Sequence, residues 1–365
     1  MIKERIHMIY GTDAKEMTTL LLNQVDWGHL VPSDAHIVIK PNLVVPRDAS
    51  EGATTHPEIV ETVISYLCDL GYHHITIAES SWVGASTQDA FAAHKYDVMA
   101  KKYNVTLLDI KQDRYQTIDA HGYPIEISQT IMNADFIINL PVLKGHCQTH
   151  VTCALKNMKG CISDASKRKF HAWGLDKPIA ALNTIRCADL VIVDSINGDL
   201  DFEEGGNPVE TNRMFMGFDS VLIDTFGASL MGFELEKVPY IQLTEQFKVG
   251  STQIDQNTII ALNADAAASQ AKPTGKVHQL SRHTVPDAAC SACYGNLIHA
   301  LARMEERGSL QSLNRKVHIG QGYRGSSGCA LGVGVCTNGF THSLGGCPPK
   351  AVDMIRFLER YSDLD

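Results

Sequence analysis

The sequence predicts an α/β protein: a mostly parallel, doubly wound sheet core over residues 1–265, followed by a smaller cysteine- and glycine-rich region over residues 266–365. Three observations predict it. Short, nearly unbroken apolar runs recur through the first part, as strands covered on both faces require. Helical patterns lie between several of these runs, the arrangement by which parallel strands connect. Beyond the loop-like "NADAAASQAKPTGK" (Asn263 to Lys276), cysteine and glycine take over.

In chain order the expected strands are "HIVIK" from His36, "HHITIA" from His73, "VTLLDI" from Val105, "DFIINL" from Asp135, "DLVIVD" from Asp189 and "TIIALN" from Thr258. A helix, "PEIVETVISYLCDLG", opens after Thr55 and His56, with a capping side chain and an early proline, and closes at Gly71. Another, "DSVLIDTFGASLMG", ends at Gly232, and Asp219 is placed to cap it. In the tail, "YGNLIHALARMEERG" reads as a helix and "KVHIG" as a strand. Pro348 and Pro349 should set the first turn of a last helix, "PKAVDMIRFLERY".

The chain has 365 residues, 44% of them hydrophobic, enough for a sizeable core. A formal net charge of -9 argues against the overall basic footprint of a nucleic-acid binder. No segment reaches the ~18 unbroken apolar residues of a membrane span, and "MIKERIHMIY" is no signal peptide. The expected address is therefore the cytoplasm. Ten cysteines in that setting suggest thiols kept reduced for metal or catalysis.

In an open parallel sheet, ligands bind beyond the carboxyl ends of the strands. That rule gathers Lys40 and Asn42, Glu79, and Lys144 with His146. Lys144 to His171 adds Lys156, Lys159, Lys167, Arg168 and Lys169 against a single acid, Asp164. A pocket for a small anion follows, with Lys40, Asn42, Thr55, His56, Glu79, Lys156, Asn157 and Lys159 as binding residues. Lys144, His146 and His150 are the expected catalytic, proton-transferring groups. Lys167 to Lys169 reads as a solvated run. With few aromatics among these charges, nucleic acid is not an expected partner.

Of the cysteines, Cys68 and Cys187 fall in core patterns, and Cys147, Cys153 and Cys161 read as packing thiols. Cys290 and Cys293 form "CSAC" directly before a helical pattern, and Cys336 and Cys347 lie in glycine-rich loops. Helix N-termini stabilise thiolates, and glycine lets backbone approach an inorganic core. Between Glu306 and Asp353 there is no Asp or Glu, while Arg307, Arg315, Lys316, Arg324 and Lys350 are basic. That surround suits the negative charge of a thiolate-held cluster. The expected ligands are Cys290, Cys293, Cys336 and Cys347, with Cys329 as the substitute for Cys336. The cofactor is a 4Fe-4S cluster, with zinc as the alternative. The G-x-G-x-x-G at Gly320, Gly322 and Gly325 is not a dinucleotide loop, because neither a helix nor an acid follows it.

The segments "IVIKPNLV", "THPEIVETVI", "ITIAESS", "ADFIINLPVLKGH", "VTCALKNMKG" and "DSVLIDTFGASLMG" together resemble domain-of-unknown-function family 362, in the family's order over residues 35–235. The resemblance implies iron-sulfur chemistry, which members often carry in attached ferredoxin-like motifs. Here the compact run C-x-x-C-x-x-C-x-x-x-C-P is lacking, so any cluster uses cysteines spread over a longer interval. The resulting expectation is an iron-sulfur oxidoreductase or electron-transfer protein from an anaerobic or microaerobic setting. It would bind an anionic small molecule and a redox partner protein. Two alternatives stand beside it: a redox-neutral hydro-lyase or isomerase using an open cluster iron, and a non-enzymatic module stapled by structural zinc.

Overall fold

Successive side chains of a strand point to opposite faces, so an apolar run buries both faces only if something covers each. The computed structural model, which describes residues 4–263 and 273–361, shows this arrangement. The strands are β1 (Ile6–Tyr10), β2 (Ile37–Pro41), β3 (Ile75–Glu79), β4 (Thr106–Asp109), the hairpin β5 (Tyr115–Ala120) and β6 (Tyr123–Ser128), and β7 (Phe136–Leu140). There follow the short ribbon β8 (Lys144–His146) and β9 (His150–Thr152), then β10 (Leu190–Asp199), β11 (Pro208–Gly217) and β12 (Ile259–Ala261).

Eight of them form one sheet in the order β12-β1-β11-β10-β7-β2-β3-β4. Neighbours run parallel except around β11, which is antiparallel to both β1 and β10. Ile37 and Ile39 of β2 join Ile75, Ile77 and Ile138 in one core, whereas Val38 joins Ala78 and Ile137 in the other. The helix Pro57–Asp69 covers the first core with Ile59, Val60, Val63, Ile64 and Leu67, all buried. Each such side chain contributes about 1.5–3 kcal/mol of transfer free energy. This is the α/β, mostly parallel core that the sequence predicts.

Two departures matter for the site. The helix Pro57–Asp69 is preceded by His56, which makes no side-chain cap. Thr55, the expected cap, instead donates its hydroxyl to the Leu140 carbonyl at 2.7 Å. Strand β10 runs five residues past the expected end at Asp194 and, after a bulge between Ser195 and Asn197, pairs Asn197, Gly198 and Asp199 with β11. The polar "SINGD" hides this extension in the sequence. It carries Leu200 to Glu204 back over the mouth of the sheet.

A second sheet of four parallel strands follows: β13 (Thr284–Pro286), β14 (Val317–Ile319), β15 (Gly328–Val333) and β16 (Phe340–Leu344), side by side in chain order. Its strands pack with the helices Ser291–Glu306 and Ala351–Tyr361 around a third core, into which Phe202 from the β10–β11 connection inserts. The last helix starts at Ala351, so Pro348 and Pro349 lie before it and not in its first turn. Asn296 donates to the Pro349 carbonyl at 2.9 Å and ties that loop to the helix Ser291–Glu306. The expected boundary at residues 265/266 lies outside the described residues. No described helix is long and apolar enough to cross a membrane.

Candidate functional site

At the carboxyl ends of β2, β3 and β7 the expected polar residues meet, and most are spent on one another. Lys40, fully buried at the end of β2, donates to Glu79 Oε2 at 2.7 Å and to the Pro41 carbonyl at 3.0 Å. Gly160 lies against this ion pair. A Cβ there would stand 2.1 Å from Glu79 Oε1 and 2.7 Å from Lys40 Nζ, so any side chain at this position would have to displace the buried pair. A chain of amides continues the floor: Asn42 Nδ2 donates to Asn157 Oδ1 at 2.8 Å, and Asn157 Nδ2 to Asn139 Oδ1 at 2.7 Å. Lys144 donates to Asn42 Oδ1 at 3.1 Å and to the Ala53 carbonyl at 2.5 Å. Burial pushes its amine down to about 7, although Glu203 acts in the opposite sense. The helix start at His56 already has its anion. Asp194 Oδ2 accepts from the His56 backbone N–H at 2.9 Å and lies 2.8 Å from its Nδ1. Burial would depress that imidazole, but Asp194 overrides it and the pKa is raised.

In front of this floor is a cavity of about 70 Å³, enough for several water-sized groups. Asn42, Glu79, Asn157, Lys156 and Lys159 line it; Lys40, Thr55, His56 and Lys144 stand behind it. Lys156 pairs with Glu203 Oε1 and donates to Thr152 Oγ1 at 3.1 Å. Lys159 makes no hydrogen bond or ion pair among the described residues, and its Nζ stands 5.9 Å from the Phe170 ring centroid. Burial, then Lys156, lowers its pKa to about 7.

Lys167 corrects the reading of a solvated run. It is 7% exposed on the helix Asp164–Trp173, lines the cavity, and donates to Ser80 Oγ at 2.6 Å and the Ser81 carbonyl at 2.9 Å. Helical spacing turns it inward while Lys169 remains exposed.

The expected catalytic histidines are placed differently from each other. His146 Nδ1 accepts the backbone N–H groups of Gln148 and Thr149, at 3.1 and 3.0 Å, which assigns the ring proton to Nε2. Nε2 lies 3.1 Å from Ser291 Oγ and 3.1 Å from Glu203 Oε2. Burial, reinforced by Lys156, lowers the pKa to about 4, so the ring is neutral near pH 7 and positions Ser291 and Glu203 from behind the cavity wall. His150 is exposed, 5.2 Å from the Phe233 ring, and faces a separate groove. Sequence reasoning missed Glu203, which forms a buried ion pair with Lys156 in the cavity wall. Its signal was the acid pair in "DFEEGG", far along the chain from the lysines.

Cys290, Cys293, Cys336 and Cys347 line one small cavity together with Arg168, Gln321 and Arg324. Cys329, exposed on β15, does not. Cys290 occupies the N-cap position of the helix Ser291–Glu306, and Cys293 lies in its first turn. Gln321 Nε2 is 3.5 Å from Cys290 Sγ, and Arg324 Nε is 3.5 Å from Cys336 Sγ. Burial, and then the proximity of Cys336 and Cys347, raises the Cys290 thiol. Among the described residues, no three Cys, His, Asp or Glu side chains are set to hold a single metal ion. Donor chemistry fits a cluster, since four thiols around a cavity with N–H donors aimed at sulfur is how such groups are held. Two glycines of the G-x-G-x-x-G serve packing: a Cβ at Gly320 would stand 1.9 Å from the Asp287 carbonyl oxygen, and one at Gly322 2.0 Å from Asp287 Oδ2, whereas Gly325 has open space beside it and a φ of +81°.

Cys290 and Ser291 bring the two cavities into contact. Cys290 lines both, and Ser291 lines the first.

The family described as Domain of unknown function (DUF362) matches residues 37–229. The thylakoid-associated protein sll1697 of Synechocystis sp. is 25% identical over 218 residues, covering 59% of this chain and 67% of that protein. Two solved structures share 12% and 13% identity with it: the lactate racemase apoprotein from Thermoanaerobacterium thermosaccharolyticum, at a TM-score of 0.41, and a protein from Thermotoga maritima, at 0.37. The matches cover 63% and 65% of this chain and 58% and 60% of those chains.

Proposed function

We propose that this chain, which belongs to the family described as Domain of unknown function (DUF362), is an iron-sulfur oxidoreductase or electron-transfer protein. Cys290, Cys293, Cys336 and Cys347 hold a 4Fe-4S cluster, and the adjoining lysine-lined cavity binds a small anion. The observation that carries this reading is Cys290, which lines both cavities and so sets a cluster ligand against the bound molecule. When bound, the cluster supplies or accepts single electrons. Arg324 and Gln321 hydrogen-bond sulfur and make added electron density less costly. Lys159, which has no carboxylate partner among the described residues, draws the anion in, while Lys156 and Lys167 are held in the wall by Glu203 and by Ser80 and Ser81. Cys336 and Cys347 are separated by ten residues and so lack the second C-x-x-C knuckle usual in structural zinc sites, which favours a cluster over zinc.

Anaerobic purification followed by iron, sulfide and zinc analysis tests this. A brown protein with about four irons and four sulfides per chain is expected. Cys290→Ser should lose most of them and Cys329→Ser none. A colourless protein holding one zinc refutes the reading.

A further inference from the structure

The charges lining the first cavity balance except at one point. Glu79 is paired with Lys40, and Glu203 with Lys156. Lys167 is held by Ser80 and Ser81 and stands 3.6 Å from Asp164 Oδ1. Lys159 alone among the described lysines of the wall has no such partner. An enclosed cation without a counter-ion is costly, and a ligand with one negative charge removes that cost. A second negative charge would find no second free cation and would face Glu79 and Glu203.

The wall also has an oxygen in want of a donor. Glu203 is 5% exposed; its Oε1 is taken by Lys156, and its Oε2 has no hydrogen-bond partner. His146 Nε2 is 3.1 Å away and also 3.1 Å from Ser291 Oγ, so its single proton is shared between two acceptors and leaves Oε2 short of a donor of its own. A carboxylate oxygen only accepts, so the missing partner is a donor on the ligand. An ammonium would add a positive charge beside a carboxylate that Lys156 already neutralises, whereas a hydroxyl adds none. Val44, Trp82 and Val83 make the rest of the wall apolar.

We propose that the cavity takes a compact hydroxy monocarboxylic acid, its carboxylate on Lys159, its hydroxyl donating to Glu203 Oε2, and a short apolar remainder against Val44, Trp82 and Val83. This rests on the anion-site half of the proposed function and not on the cluster.

Calorimetric titration of the full chain at neutral pH with 2-hydroxybutyrate, butyrate, 1,2-butanediol and malate tests it. The hydroxy acid should bind about tenfold or more tightly than butyrate, which lacks the donor. The uncharged diol and the dianion should be weaker by a similar factor. Lys159→Met, which removes no ion pair, should abolish the preference for the acid over the diol. Glu203→Gln should abolish the preference for the hydroxy acid over butyrate, and the ligand series on the unaltered chain stands even where that variant fails to fold. Equal affinity for butyrate and 2-hydroxybutyrate, tightest binding of malate, or no heat from any of the four overturns the inference. Iron content measured on the same samples separates that failure from failure of the cluster reading.

Discussion

Lys144 offers a direct test of how the floor of the site is built. Its amine is fully buried and lowered to about 7 from 10.5, chiefly by burial. Between those values the unfolded chain holds a proton that the folded chain has given up. Stability contributed by this group therefore rises with pH through that window. From pH 7 to about pH 9.5 the gain is ~3 kcal/mol, at about 1.36 kcal/mol per unit. Lys144→Met removes the titration. It also strips a donor from the Ala53 carbonyl and from Asn42 Oδ1, a pH-independent loss of about 1–3 kcal/mol for each. Urea unfolding of both proteins across this range should show their stabilities diverging as pH rises, with the variant lacking the upward slope. Lys159 and Lys167 contribute to both proteins and cancel in the difference. Parallel pH profiles would refute the argument, because they would mean that the amine keeps its proton in the folded state.

Gly160→Ala forces a methyl group into the Lys40–Glu79 pair, and separating a buried pair costs about 3–5 kcal/mol, readable as a lower urea midpoint at unchanged m-value. His146, held neutral with its proton on Nε2, should show no imidazole titration between about pH 5 and pH 8 by nitrogen NMR. Arg324→Gln takes a cation from Cys336 Sγ, and a redox titration of the iron-loaded protein should find a more negative potential than in the unaltered chain.

The core was legible because its signal is local. An apolar run such as "IVI" in β2 or "FII" in β7 announces a strand buried on both faces wherever it pairs. Strand β11 was not, since "PVETNRMFMG" opens on a mostly polar run and takes its place only by doubling back against β10. The same reversal carries Glu203 to the lysines, and nothing near Lys156 in the chain announces it. Cys290 and Cys293 were readable from their spacing and the helix that follows. That Cys336 and Cys347 join them, and Cys329 does not, depends on which way the loops around β15 and β16 turn.

By itself the sequence determined which side chains are apolar, at what period, and where basic residues and thiols concentrate. Those properties belong to each residue and its near neighbours. Only the tertiary structure decided which lysines are neutralised. Lys40, Lys156 and Lys159 are the same residue in the sequence, yet the first two meet carboxylates from other parts of the chain and the third meets none among the described residues. Coulombic attraction and desolvation act through space over a few ångströms, so the free charge of the site is set by what the fold brings alongside it.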